Sequence, residues 1–294
     1  MEFGIHLLQA GHLATREANL AFSRRAEDLG FHSLFAAEHV ILPRHHTSRY
    51  PGNPSGEFPF PPDLPFLEAI SLLTFVAAAT ERIALGTSVL ALPMRNPGLT
   101  AKSLATLDVL SNGRLIFGVG SGWLREEFEA LNVPFDHRGD RLDEGLEIIL
   151  SCWTQDNPEF KGRFYSLSDV GFYPKPLQKP TPSVWIGGWS DRALRRAAKY
   201  ANCWHASGTP EILAEGLAKV RIYAKEYGRD SNAISLSVLA DDSLTRAEPA
   251  EVIENLREYQ AAGAAHVLVT FTGRTIERTL ERMETFAREV APKV

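Results

Sequence analysis

The stretch Val184-Trp185-Ile186-Gly187-Gly188-Trp189-Ser190-Asp191 runs an apolar strand into two glycines and then into a helix start. Gly187 and Gly188 let the backbone turn sharply and let a ligand approach with no Cβ in the way. Ser190 suits an N-cap, and Leu194, Ala197, Ala198 and Ala201 repeat behind it at helical spacing. Amide groups at such a turn, backed by a helix dipole, form a site for an anion such as phosphate. An ordinary tight strand-to-helix loop has the same residues, so the surroundings must decide.

The other residues able to do chemistry stand where short apolar runs end: Glu38 and His39, Ser88 and Val89, Gly120 to Trp123, and His205. They are small polar groups, glycines and aromatics with no pair of carboxylates, which argues against a glycosidase-type hydrolase. His39, His45 and His46 gather a metal only if the intervening loop folds inward, and no fourth ligand is placed to join them, so no metal is expected. Cys203 and His205 share a strand face, but Cys203 reads as a buried thiol and not as a nucleophile. What remains needs a cofactor to carry the chemistry.

These residues need a scaffold. Apolar runs at 3–8, 33–37, 83–90, 115–120, 184–186, 203–206, 234–239 and 266–271 predict eight strands. Helical patterns alternate with them at 15–29, 67–80, 97–112, 140–153, after Ser190, after Thr209-Pro210, at 249–262 and through the apolar stripe Ile276, Leu280, Met283, Ala287 and Val290. Strict alternation predicts an α/β fold, a (β/α)8 TIM barrel in one domain over 1–294, with its active site at the C-terminal ends of the strands. A Rossmann reading fails at its own fingerprint: Gly118, Gly120 and Gly122 are spaced GxGxG, and Trp123 stands where the third glycine of GxGxxG belongs. Segment 40–65 holds seven of the 18 prolines with Arg44, His45, His46, Arg49 and Tyr50, and is predicted to be a mobile lid. Segment 154–183, with five more prolines, is predicted to run over the surface.

Composition narrows the partners. At 294 residues and 44% hydrophobic, the chain can bury a barrel-sized core. A net charge of −5, from 31 basic and 36 acidic residues mixed along the chain, offers no basic face for nucleic acid. No apolar run is long enough to span a membrane, and the chain opens on an apolar strand and not on a signal segment, so a cytoplasmic protein is expected. Cys152 and Cys203 form no CxxC pattern and are expected to be reduced, buried thiols.

Glu38-His39, Leu85-Gly86-Thr87-Ser88-Val89, Arg95-Asn96-Pro97, the run from Leu107 to Leu115, Gly118-Val119-Gly120-Ser121-Gly122-Trp123 and Ile186-Gly187-Gly188-Trp189-Ser190 together resemble the bacterial luciferase-like family, most closely its F420-dependent oxidoreductases. The resemblance covers nearly the whole chain. It implies a barrel that holds a flavin-like ring at its mouth, with the phosphate on Gly187, Gly188, Trp189 and Ser190. It implies a cis peptide at Ser88-Val89 behind the ring, cofactor contacts at Gly120 and Ser121, and His39 near the redox centre as a neutral donor or proton carrier. The implied cofactor is F420, with FMN as the alternative, and the implied activity is hydride transfer to or from a small organic substrate. An FMN-dependent monooxygenase and a non-catalytic flavin-binding protein remain alternatives. The resemblance also implies a homodimer. One position departs: some relatives acting on sugar phosphates carry a glutamate where this chain has Trp123, which is read either as an aromatic wall suited to a flatter or more apolar substrate or as a buried packing residue. Arg192, Arg195 and Arg196 are expected on a solvated helix face, and Asp136, His137, Arg138, Arg141 and Glu144 are expected to hold loop and helix together.

Overall fold

Short β-prone segments with a period of two need partners on both edges, and here the barrel strands find them in parallel neighbours. The computed structural model describes residues 1–51, 55–241 and 243–294. Its strands, among the described residues, are β1 (Glu2–His6), β2 (Ser33–Ala36), β3 (Ala84–Thr87), β4 (Leu90–Ala91), β5 (Leu115–Gly120), β6 (Phe160–Lys161), β7 (Ser166–Leu167), β8 (Ser183–Gly187), β9 (Cys203–Ala206), β10 (Ser235–Leu239) and β11 (Ala264–Val269). The helices are α1 (Arg16–Asp28), α2 (Ala69–Ala77), α3 (Pro97–Leu110), α4 (Arg125–Ala130), α5 (Arg138–Thr154), α6 (Asp191–Tyr200), α7 (Pro210–Glu226), α8 (Pro249–Ala261) and α9 (Ile276–Glu289).

The ladder runs β3-β2-β1-β11-β10-β9-β8-β5, and β3 pairs with β5 to close it, giving a (β/α)8 barrel. The two-residue β4 continues the third strand beyond Ser88 and Val89 and pairs with β5. The Ser88-Val89 peptide is cis. β6 and β7 form a small antiparallel hairpin inside the surface excursion.

Side chains alternate strictly on the barrel wall. Leu34 and Ala36, Val184 and Ile186, Trp204 and Ala206, Leu236 and Val238, and Val267 and Val269 pack outward under the helices in one large core. The opposite phase turns inward, where Phe35, Ile116, Trp185, Cys203 and Leu268 make a second, smaller core. Phe35 stacks toward Trp185 at 5.2 Å, and Trp185 meets His266 across the barrel at 5.0 Å between ring centroids. Glycine clears the room: a Cβ on Gly86 would lie 2.3 Å from the Phe35 ring.

Helix starts follow the sequence signals. Thr15, Asn96 and Ser190 accept first-turn amides at Ala18, Leu99 and Ala193, and Glu68 does the same for α2 through Ile70 and Ser71. The run from Leu107 to Leu115 is scaffold: fully buried Asp108 accepts the Leu115, Leu177 and Gln178 amides, while Arg114 binds the carbonyls of Ala77, Thr80 and Ile83. Two expectations need correction. Helix α4 lies where no element was predicted, and Arg196 is not solvated but buried against Asp143 and the Gly139 carbonyl. Among the described residues no helix is long and apolar enough to cross a membrane.

Candidate active site

The C-terminal ends of β2, β3, β5, β8 and β9 bring His39, Ser88, Val89, Gly120, Ser121, Gly187, Gly188 and His205 to one mouth. Glycines pack closely on Val89. A Cβ added at Gly120 would lie 2.9 Å from Val89 Cγ2, one at Gly187 would lie 3.2 Å from it, and one at Gly118 would lie 1.7 Å from the Thr87 carbonyl oxygen. Only glycine lets β5 and β8 come this close to the interrupted third strand.

The turn at the end of β8 keeps the shape expected of it. Gly188 has φ +110°, a conformation that side chains disfavour, and its carbonyl accepts Trp204 Nε1 at 2.9 Å. Trp189 donates its indole N–H to the Ser207 carbonyl, and Ser190 caps α6. The turn and the first turn of α6 therefore face the mouth as a fixed unit.

His39 has the most organised surroundings. Its Nδ1 lies 2.9 Å from Glu127 Oε2, while Glu127 Oε1 accepts the amides of Val40 at 2.6 Å and Ile41 at 3.2 Å. The Glu127 side chain is 1% exposed and that of His39 is 10%. With the carboxylate ionised, Nδ1 carries the proton, and Nε2 is the nitrogen through which His39 exchanges protons with a ligand. Phe58 at 4.7 Å, Phe66 at 5.6 Å and Trp123 at 6.1 Å surround the ring. Trp123 in turn meets Tyr50 and Phe58, each at 5.2 Å, so the aromatic wall forms jointly from the β5 end and the long loop.

Glu38, beside His39 in sequence, is structural. It accepts the Ala91 amide and Arg95 Nε, and Arg95 reaches on to Glu68 at 2.6 Å. Burial by itself would lower the Arg95 pKa, but the Glu38 and Glu68 carboxylates outweigh it and keep the guanidinium charged. This network fixes the end of β2 against β4 and α2.

The loop from 40 to 65 meets the mouth through Tyr50 and Phe58, which contact Trp123 and, for Phe58, His39; Gly52, Asn53 and Pro54 lie outside the described residues. α4 holds its first half: Glu126 Oε1 accepts the Thr47 amide at 2.6 Å and the Ser48 amide at 3.2 Å, and Glu127 holds 40–41. Partial burial opposes ionisation of Glu126, yet these donors bring its pKa down to about 2. Arg44 pairs with Asp63 at the exposed edge. His46 shares Phe58 and Trp123 with His39, but its Nδ1 lies 3.0 Å from the Ser48 carbonyl oxygen. The surface grooves of about 440 and 600 Å³ beside α8 use none of these residues.

Cys203 faces the barrel interior as expected, and burial pushes its thiol up to about 12, which leaves it unreactive. His205 Nε2 binds Ser88 Oγ at 2.9 Å. Arg138 and Glu144 on α5 act as scaffold: Arg138 donates to the Gly122 carbonyl, and Glu144 accepts the amides of Arg163, Phe164 and Tyr165. Sequence reasoning missed Glu127 altogether. Its signal was available, since Leu124, Phe128 and Leu131 repeat at helical spacing around it.

A family model described as luciferase-like monooxygenase matches residues 1–288. The chain belongs to that family. An uncharacterized protein of Mycobacterium tuberculosis is 31% identical over 283 residues, covering 94% of this chain and 95% of the relative. An FMNH2-dependent dimethylsulfone monooxygenase of Pseudomonas putida is 33% identical over 67% of this chain and 59% of its own length. An F420-dependent glucose-6-phosphate dehydrogenase of Amycolatopsis mediterranei is 34% identical over 62% of this chain and 53% of its own length. The family thus includes both F420-dependent and FMN-dependent oxidoreductases.

Proposed function

We propose that this luciferase-like barrel is an oxidoreductase that binds F420 at its mouth and passes hydride between the cofactor and a small, flat or apolar organic molecule. The observation that carries this reading is the His39–Glu127 pair, buried under an aromatic wall at the same mouth where Gly118, Gly120 and Gly187 approach Val89 without side chains. Gly120 and Gly187 put no side chain over Val89, so a planar ring can lie against that face of the mouth.

Val89, Ser88, Gly120 and Ser121 would support the ring, and the amides at Gly188, Trp189 and Ser190, backed by α6, would take its phosphate. The cofactor, when bound, supplies hydride transfer. Everything else falls to this chain. Glu127 holds His39 in the Nδ1–H tautomer, so Nε2 gives or takes the proton that balances hydride transfer. Phe58, Phe66 and Trp123 exclude water from that nitrogen and present an apolar face to substrate. Trp123 stands where sugar-phosphate enzymes of this family carry an acid, so a sugar phosphate lacks its proton partner here.

FMN is the second reading, favoured by the Pseudomonas putida relative, whose identity equals that of the F420-dependent one to within a percentage point. Titrating the purified protein with F420 and with FMN, side by side and followed by fluorescence, separates the two. Tight F420 binding that Gly188→Asp abolishes is expected. Preferential FMN binding moves the assignment to a monooxygenase, and binding of neither refutes the cofactor assignment.

A further inference from the structure

The inward phase of four strands places a continuous hydrogen-bonded line through the barrel. At its foot, His32 Nε2 lies 3.4 Å from Glu2 Oε2, and His32 Nδ1 lies 3.0 Å from Ser33 Oγ. Ser33 Oγ lies 3.0 Å from His266 Nε2, and His266 Nδ1 lies 2.8 Å from Ser237 Oγ. Ser237 Oγ then lies 2.9 Å from His205 Nδ1, and His205 Nε2 lies 2.9 Å from Ser88 Oγ at the mouth. Register builds the central part, because Ser237 on β10 is opposite both His266 on β11 and His205 on β9. Gly4 makes room at the foot: a Cβ there would lie 2.6 Å from His266 Nε2 and 2.7 Å from Ser33 Oγ.

Ser33, Ser237, His205 and His266 are all buried, so the two imidazoles stay neutral. Burial drives His205 down to about 3, helped by His6 on β1, and lowers His266 well below the ordinary histidine value, helped by His32 and His205. A neutral imidazole has one donor and one acceptor, and a serine hydroxyl is both. Hydroxyl and imidazole alternate along the line, so every link can be satisfied in either of two senses. In one, donation runs from foot to mouth: His266 carries its proton on Nδ1 and His205 on Nε2. In the other it runs from mouth to foot, with protons on His266 Nε2 and His205 Nδ1.

We infer that this line is a proton relay joining the surface at His32 and Glu2 to the redox site at Ser88. The inference rests on the proposed redox function of the mouth. Starting from the foot-to-mouth sense, Ser88 gives its hydroxyl proton to a basic atom of the bound reactants. His205 Nε2–H replaces it, Ser237 replaces that proton at His205 Nδ1, and His266 Nδ1–H moves to Ser237. Ser33 then protonates His266 Nε2, His32 Nδ1–H moves to Ser33, and His32 takes one proton from solvent at Nε2. One proton enters, one leaves, no charge remains in the interior and no electron moves. The line ends in the mouth-to-foot sense and is reset when the opposite half-reaction returns a proton to Ser88.

The relay is testable in the protein without cofactor, because the foot sets the sense. Protonated His32 must donate from Nδ1, which fixes the foot-to-mouth sense. Neutral His32 donating from Nε2 to Glu2 fixes the other. Among the described residues, Glu2 on β1 and His266 on β11 face His32, and His6 on β1 and His266 on β11 face His205. We expect 15N NMR of histidine-labelled protein, followed through a pH titration that takes His32 from neutral to protonated, to show the protonated and bare nitrogens of both His266 and His205 exchanging places together. In Ser237→Ala, His266 should still follow the titration and His205 should not; in Ser33→Ala neither should. Tautomers that stay fixed throughout in the native chain overturn the relay. So does a His205 that still responds in either variant, since His6 would then be its trigger. A failed cofactor titration would refute the redox reading and leave these tautomer results standing.

Discussion

A single carboxylate decides what His39 can do. Glu127 accepts from three donors, His39 Nδ1 and the Val40 and Ile41 amides, and is buried while doing so. Glu127→Gln should turn an N–H toward His39, reverse its tautomer to Nε2–H in 15N NMR, and lower cofactor-dependent turnover by roughly 10²- to 10⁴-fold, the usual contribution of a positioned acid or base. An unchanged tautomer would show that the pair does not set the proton position. Glu127→Ala should lower the midpoint of chemical denaturation, because His39 and the amides of the half-exposed Val40 and Ile41 lose their acceptor. At this scale the sequence was half legible. His39 stood out because a strand end in a barrel is where chemistry gathers, whereas Glu127 is 88 residues away and meets it only through the fold. Cys203 was legible as a thiol within a short buried strand; its pKa near 12 predicts that Cys203 of the native protein is not alkylated at pH 8.

Among the elements, α4 is the piece that the sequence showed least and the site needs most. Six residues with three glutamates make a weak helical signal, yet Glu126 and Glu127 tie the lid to the barrel from its first turn. The Glu126 pKa is held at about 2 against an unfolded value near 4.5, so its anchoring is complete above that unfolded value and is lost as pH falls from about 4.5 toward 2. Trp123, packed against the lid, should report this as a fluorescence change in that window, and Glu126→Gln should show the altered signal already at neutral pH. A Glu126→Gln signal matching the native protein would mean that the lid is held elsewhere. The close approach of β5 to the third strand gives a sharper outcome. Gly118→Ala would drive a Cβ to 1.7 Å from the Thr87 carbonyl oxygen, and soluble folded protein should not be recovered.

At the scale of the whole molecule, eight strands, their order around the barrel and most helix starts were legible, because alternation, caps and prolines are local signals. The polar line through the interior was not. Ser33, His205, Ser237 and His266 each look like an interruption in an apolar strand, and only the inter-strand register makes them neighbours. Their burial also shapes stability. His205 and His266 have folded pKa values depressed below the unfolded value, so unfolding takes up protons and stability falls as pH drops below about 6.5. Two such groups give a slope of about 2.7 kcal/mol per pH unit just below that range. His266→Asn, which cannot titrate, should reduce it to about 1.4. An unchanged slope in denaturation experiments between pH 4.5 and 6 would show that His266 is not neutral when buried.

The central claim is that the mouth formed by Val89, His39 and the turn at Gly188 is a cofactor site, and a crystal structure of the protein saturated with F420 tests it most directly. The account predicts the deazaflavin ring over Val89 between Gly120 and Gly187, within reach of His39 Nε2, with the phosphate on the amides of Gly188, Trp189 and Ser190. A ring bound elsewhere on the barrel, with His39 and the Gly188 turn out of contact, would contradict it.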